Sequence, residues 1–401
     1  MDRAARPTLV TPLFVAITVA TLAYFLSFGA LLPVLPVYVE DVLGGGSVAV
    51  GLSIGAFSLS ALFLRPLAGR LGDRRGRRLL LVVGATIVLV SVLMLIPANS
   101  VGLVVASRLL MGVGEAMFFT GAASAINDIA PDERRGEAVS LFSLALYGGL
   151  ALGPLLGESV MGDGRFDAVW LTAAGVAAVC VLLGLRVPDT RPPELRARGG
   201  APGGRLIHPG AFLPGTLLLT SVLGFAGFSA FIKLYARDLE FERSGLIFLV
   251  YAVLMVLIRS IGRRIPDVLG VSLTGTISLG TSALGLLILG LWSSVAGLFT
   301  GTIVFAVGQA LAFPAFMSMA VRAAPASERG AVVGTFTAFF DLAFGIGALS
   351  LGAITAAAGI GGMFISAAGA AAAGLVVLLV AGKRRPDLVR SMPEIAASDA
   401  G

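Results

Sequence analysis

Charge is what this chain has least of. Only 13% of its 401 residues are Asp, Glu, Lys or Arg, against 57% hydrophobic residues, and the mean hydropathy is +0.96. That excludes an ordinary water-soluble domain, in which about a quarter of the residues are charged. Histidine and cysteine occur once each, His208 in a Pro/Gly-rich stretch and Cys180 in an apolar run. A disulfide framework is thereby excluded, a metal site or catalytic centre is not expected, and Cys180 reads as a membrane-buried thiol. Without a catalytic constellation an enzyme is not expected, and neither is a cofactor. No G-x-x-x-x-G-K-[ST] loop is present, which argues against direct ATP drive. The formal net charge of +6 does not point to nucleic acid, because the arginines fall in the loops between apolar runs. The segment before the first apolar run has no cleavable leader pattern, since that run is too long and lacks a small-residue cleavage site.

Long apolar runs are what the chain has in abundance. Its length accommodates about twelve spans of ~20 residues with short connections. The expected helices cover 12–38, 48–70, 79–97, 101–127, 136–159 and 168–187, then 211–235, 244–262, 269–292, 296–321, 329–356 and 360–382. The fold class read from this is an all-α membrane protein with twelve transmembrane helices in two six-helix halves. Residues 1–187 form the first half, a cytoplasmic linker covers 188–210, the second half covers 211–382, and 383–401 is a polar cytoplasmic tail. A short surface helix near Glu194–Arg198 is expected within the linker.

One stretch stands out between two apolar runs: Gly69-Arg70-Leu71-Gly72-Asp73-Arg74-Arg75-Gly76-Arg77-Arg78. A basic loop this short stays on the cytoplasmic side, and its glycines permit a tight turn. The stretch recurs. A shift of 194 positions lays Arg65, Arg70, Asp73 and Gly76 on Arg259, Arg264, Asp267 and Gly270. The same shift carries Gly114 and Ala116 onto Gly308 and Ala310, Glu115 onto Gln309, and Pro131, Arg135 and Gly136 onto Pro325, Arg329 and Gly330. One offset serving three separated sites indicates two homologous halves, an arrangement in which sites lie at the repeat interface.

The pattern G-x-x-x-D-R-x-G-R-R resembles the signature loop between the second and third helices of the major facilitator superfamily. The resemblance covers about residues 12–382. It implies that Gly69, Asp73, Arg74, Gly76, Arg77 and Arg78 form a conformational lock, with Asp73 reaching towards the helix start at Arg329–Gly330. Placing both termini inside leaves Arg165, Lys233, Arg237 and Arg243 outside and Arg108 within the membrane. Every other Lys and Arg, Arg65 among them, is then cytoplasmic. A multi-pass protein of the plasma membrane, monomeric in the lipid bilayer, is expected.

A charge inside the bilayer costs about 2.5–3.5 kcal/mol on insertion scales, so each one needs a reason. Arg108, Glu115 and Asp341 stand inside expected helices. Arg108 and Glu115 are two turns apart on one face of the fourth helix. Arg108-Leu109-Leu110-Met111-Gly112-Val113-Gly114 resembles the superfamily's R-x-x-x-G-x-G motif, whose arginine is linked to proton coupling; tying helices together is the other reading of Arg108. Glu115 is a proton carrier, a cation-binding carboxylate or a buried hydrogen-bonding group. Asp341 lies in Phe339-Phe340-Asp341-Leu342-Ala343-Phe344, where burial penalises the charged form; a structural pair is its alternative. Ranked for proton coupling, Glu115 comes first, with Arg108 assisting release, and Asp341 second.

Gly149, Gly153 and Gly157 recur every four residues and offer a flat face for close helix contact, and Pro154 invites a bend. With Pro154 they resemble the fifth-helix motif of the drug:proton antiporter branch, from which Glu158 departs. Tyr24, Phe28, Phe118, Phe119, Phe228, Gln309 and Phe313 are candidates for a substrate cavity with few polar groups, although aromatic stripes more often serve packing. Such a cavity suits apolar or amphipathic organic molecules. The expected function is proton-coupled efflux of a small organic substrate. Proton-coupled transport of a specific metabolite such as a sugar, siderophore or amino acid is the alternative, and a membrane sensor or membrane-bound enzyme a distant one.

Overall fold

The computed structural model describes residues 9–131, 134–162, 164–191, 207–261, 265–322 and 329–384, and among them every regular element is a helix. Helix α1 spans Pro12–Leu31; Thr11 caps it by accepting from the Phe14 N–H at 3.2 Å, and Pro12 sits at its first position. The chain continues through a short turn at Val34–Val37 and a widened turn at Tyr38–Val42. Then come α2 (Ser47–Arg75), α3 (Arg77–Leu93), α4 (Val101–Ile129), α5 (Arg135–Met161) and α6 (Phe166–Arg186). After the linker follow α7 (Phe212–Asp238), α8 (Gly245–Ile261), α9 (Ile265–Leu291) and α10 (Val295–Arg322). The last run, Arg329–Arg384, breaks at Gly359, where φ is +72°, into α11 (329–358) and α12 (360–384). These helices fall where the apolar runs predict them. Nine apolar stretches among the described residues are long enough to cross a membrane, and the one that holds α11 and α12 is a single stretch of 53 residues.

The repeat seen in the sequence is also present in the packing. Gly76, with φ +110°, separates α2 from α3, and its counterpart Gly270, with φ +77°, breaks the start of α9. A Cβ on Gly114 of α4 would press on the backbone of Gly84 and Val88 of α3. In the second half Gly308 of α10 lies equally close to the backbone of Ser278 and Ser282 of α9. Gly153 of α5 meets Gly29 of α1, while Gly347 of α11 meets Leu223 of α7. Each pair is displaced by the same 194 positions that relate the sequences.

The described residues form two compact units. One takes the chain up to Val34 and from Ser60 to the start of the linker, and its interior holds Tyr24, Phe118 and Trp170. The other takes Leu35–Leu59 and the chain after the linker, with Phe228, Phe231, Phe305 and Phe316 fully buried. The division falls inside α2, so residues 35–59 of the expected first half pack in the second unit. The physical reason is a crossing of small residues. A Cβ on Gly55 would lie 2.7 Å from the Gly345 carbonyl, and one on Gly352 would lie 2.8 Å from that of Ser47. In lipid, such backbone proximity supplies the attraction that water supplies elsewhere. At the end of the same stretch Arg237 holds Asp41 at 2.9 and 2.8 Å and Glu40 at 2.8 Å.

Candidate functional site

Glu115 is buried in α4, and its partner is Arg65 of α2 rather than Arg108. The Arg65 Nη2 donates to both carboxylate oxygens, at 3.0 Å each. A second bond, from Ser60 Oγ to the Leu109 carbonyl at 2.8 Å, sets the register of α2 on α4. Advancing five residues on α2 and six on α4 connects the two bonds, so the helices run side by side in one direction here. Arg65, near the end of the helix expected over 48–70, thus faces α4 through its bonds to Glu115. The signal was Arg65 itself, five residues before the loop's first interior arginine and so about 7.5 Å deeper along a helix.

Aromatic rings surround the pair. The Arg65 guanidinium carbon lies 5.4 Å from the centre of the Phe119 ring. Phe25 meets that ring edge-on at 6.1 Å and Phe142 tilts against it at 6.0 Å. Tyr24 stacks on Phe118 at 5.0 Å and lies within electrostatic reach of Glu115, Arg108 and Arg65. Its hydroxyl is buried with no hydrogen-bond partner among the described residues. Arg108 is buried too, its guanidinium 5.3 Å from the Phe28 ring centre and Nη1 2.7 Å from Met111 Sδ. Tyr24, Phe28 and Phe118 are buried, and Phe119 alone of the four is only half-buried.

The glycine face of α5 closes on α1. A Cβ on Gly149 would lie 2.6 Å from Phe25 Cβ, and one on Gly153 2.6 Å from Gly29 Cα; Gly157 approaches the Ala30 carbonyl. Pro154 contributes its ring to the same contact, near Gly29. The close approach positions Phe25, and through it Phe119.

In the second unit, Gln309 donates to the Ser221 carbonyl at 3.0 Å and the Ser221 hydroxyl at 2.9 Å, with Ser282 Oγ at 3.4 Å. Its amide therefore serves to join α10, α7 and α9. Phe228 is buried in an aromatic group with Tyr251 at 5.4 Å and Phe305 at 5.5 Å; Phe313 is half-buried and meets Phe336 at 5.5 Å. Asp341 is buried on α11, on a stretch whose Phe339 packs on Phe212 and whose Phe344 packs on Phe225. Glu115 and Asp341 belong to different units.

The basic loop is organised by Arg77. Its Nη1 holds Asp73 at 2.7 Å and its Nε holds Asp128, at the end of α4, at 3.1 Å. Its backbone N–H donates to Asp189, just beyond α6, at 3.1 Å. Asp189 also binds Arg191 at 2.7 Å, and Arg191 donates to the Arg74 carbonyl at 2.6 Å. Thr190 reaches Asp128 at 3.2 Å, and Arg78 donates to the Leu185 carbonyl at 3.0 Å. Gly69 and Arg74 lie on the last turns of α2, Arg74 exposed. Gly76 must be glycine twice over, since its φ is +110° and a Cβ would sit 2.9 Å from the Asp189 carboxylate. Burial alone would raise the Asp189 carboxyl. The hydrogen bonds from the Arg191 side chain and from the Arg77 and Arg191 N–H groups outweigh it and hold the group below the ordinary carboxylate range.

Asp128, Asp189 and Arg191 were not singled out in the sequence, and the loop's Asp73 is described in a pair with Arg77. The Arg329 side chain, the surroundings of Gly330 and the expected surface helix near Glu194–Arg198 lie outside what is described. The linker's end is held differently: His208 Nδ1 accepts from Gly210, and its backbone N–H donates to Thr335 of α11 at 2.9 Å. Among the described residues no group of three or more His, Cys, Asp or Glu is placed to hold a metal ion.

Comparison with known proteins follows the same lines. The family described as Major Facilitator Superfamily matches residues 17–271 and 234–398. An uncharacterised MFS-type transporter of Salmonella typhimurium, STM4428, is 27% identical over 376 residues, covering 90% of this chain and 94% of that protein. The uncharacterised MFS-type transporter YhhS of Escherichia coli is 28% identical over 397 residues, covering 96% and 95%. The crystal structure of a bacterial homologue of the human lysosomal transporter Spinster superimposes with a TM-score of 0.77 at 13% identity, covering 94% of this chain and 98% of that one. At that identity the likeness is one of fold.

Proposed function

Since the chain belongs to the major facilitator superfamily, and is therefore a membrane transporter and not an enzyme, we propose that it exports small, largely apolar or amphipathic organic compounds in exchange for protons. The observation that carries this reading is Glu115, a carboxylate buried among aromatic rings and held by one arginine. A charge placed inside a membrane helix costs about 2.5–3.5 kcal/mol on insertion scales, and such residues mark ion and proton pathways. In this reading the carboxylate takes up a proton on one side of the membrane and releases it on the other. Arg65 stabilises the unprotonated form between these events. Few hydrogen-bonding side chains accompany it, which suits an apolar substrate better than a sugar.

The protein sits in the plasma membrane with both termini cytoplasmic, works as a monomer, and moves its halves 1–187 and 211–382 against each other about a central site. The basic loop then lies inside, with Asp73, Arg77 and Asp128 bracing it. Glu115 is the first candidate for the proton site and Asp341 the second. The glycine–proline face of α5 is consistent with the antiporter branch through its resemblance to that branch's motif.

The test is substrate-induced proton release from purified protein, together with dye accumulation in inside-out vesicles driven by an imposed pH gradient. Glu115→Gln is expected to abolish both, and a protonophore to abolish the second. Full proton-driven accumulation by Glu115→Gln, lost instead in Asp341→Asn, would move the proton site to α11. Proton-driven uptake of a sugar or amino acid, with no response to any apolar compound, would replace the substrate class.

A further inference from the structure

We infer that the place held by the Arg65 guanidinium is a cation subsite, and that an organic monocation of diffuse charge displaces Arg65 from Glu115 when it binds. The physiological meaning rests on the exporter reading above; the geometry does not. The guanidinium has what a bound organic cation needs. Glu115 offers both carboxylate oxygens at 3.0 Å, and the Phe119 ring presents itself at 5.4 Å. Phe25 and Phe142 wall that ring. A cation on an aromatic face and against a carboxylate gains from both, more so where water is scarce.

Arg65 is chemically close to such a ligand. A guanidinium is planar, delocalised and weakly hydrated, unlike an ammonium. Arg65 can also leave. Its side chain is 18% exposed against 8% for Glu115, and its unbranched stem lets the charged head move along the helix towards the polar boundary. Arg70, one and a half turns on, is already exposed, about 7.5 Å further along the axis. The exchange keeps charges balanced throughout: the carboxylate faces one cation before it and one after it, so it is never left bare in the membrane.

One further observation fits. The repeat counterpart of Glu115 is Gln309, whose amide is engaged by Ser221 and Ser282. Among the described residues the repeat position thus offers no second carboxylate, and the one carboxylate of Glu115 matches a monocation rather than a dication.

The experiment is equilibrium binding of tritiated tetraphenylphosphonium to the purified full-length protein, wild type against Arg65→Ala, Arg65→Lys and Glu115→Gln. Removing the resident cation should tighten binding about tenfold or more, the size expected from deleting a competing charge-assisted hydrogen bond. Arg65→Lys should stay near wild type, and Glu115→Gln should lose binding. Binding by Arg65→Ala that is unchanged, weaker or absent would overturn the proposal, because a merely structural arginine leaves no better site behind. Should Arg65→Ala not fold, Phe119→Leu in the wild-type background carries the test: the affinity should fall several-fold, and an unchanged value refutes the subsite. Failure of proton-driven export would sink the exporter reading alone, since this measurement involves no gradient.

Discussion

Replacing Gly153 by alanine is the smallest change that should damage this protein measurably. A Cβ at that position would lie 2.6 Å from Gly29 Cα, 2.7 Å from the Gly29 carbonyl carbon and 2.8 Å from Ala30 N. All three are backbone atoms, so no side chain can swing aside. Ordinary carbon–carbon contact begins near 3.5 Å, so α1 and α5 must separate by close to an ångström or tilt. Overpacking of this kind costs about 1–3 kcal/mol, and the separation also removes the close contact that holds the two helices together in lipid. At about 2–4 °C per kcal/mol for a unit of this size, the melting temperature should fall by roughly 2–12 °C. Cys180 supplies the reporter: it is the chain's one cysteine, it is buried on α6, and a thiol-reactive fluorophore reads it only as the protein opens. Gly148→Ala is the control on the same helix, because its nearest neighbour is Leu22 Cδ1 at an ordinary 3.5 Å. Gly347→Ala, the repeat counterpart of Gly153, should fall between them, with Ala226 Cβ at 3.1 Å and Leu223 Cα at 3.3 Å. The expected order of damage is 153, then 347, then 148. Equal melting of Gly153→Ala and Gly148→Ala would refute the claim that backbone contact between α1 and α5 holds this unit.

The other predictions concern the basic loop. Arg77→Ala strips Asp73 and Asp128 of a shared partner in a half-buried setting; the same assay should show a loss of about 3 kcal/mol or more if the site stays dry, whereas exposed Arg78→Ala should stay within about 0.5 kcal/mol. Asp189→Asn tests the brace beyond α6. Because the folded carboxyl titrates below its unfolded value of about 3.9, its contribution is present above that value and is lost as pH falls through the folded one. The melting difference between wild type and Asp189→Asn should therefore be steady near neutrality and close as pH drops below about 4. It should be small, about 1 kcal/mol, since the pair is half-buried at the edge of the protein; a difference that grows on acidification would contradict the assigned sign.

Much of the site was legible as residues but not as pairs. Glu115 and Arg108 stand out because charge in an apolar run is expensive, and that expense is visible in one dimension. Equal spacing on one helix says which face two residues share, not what the neighbouring helix places against it. Arg65 lies 50 residues from Glu115, and only the register of α2 on α4 joins them. The partners of Gln309 were hidden for the same reason: Ser221 and Ser282 come from two other helices.

The number and order of helices, the basic loop and the 194-residue repeat were determined by the sequence alone. In a membrane each segment must satisfy its own backbone hydrogen bonds and match a fixed thickness, so hydropathy and length are local quantities that can be read off the chain. The tertiary structure alone decided which half of α2 packs with which unit, that Gly153 meets Gly29, and that Arg77 gathers Asp73, Asp128 and the backbone-held Asp189. These depend on the rotation and approach of helices distant in the chain, which in lipid is governed by shape and pairing between faces rather than by hydrophobicity.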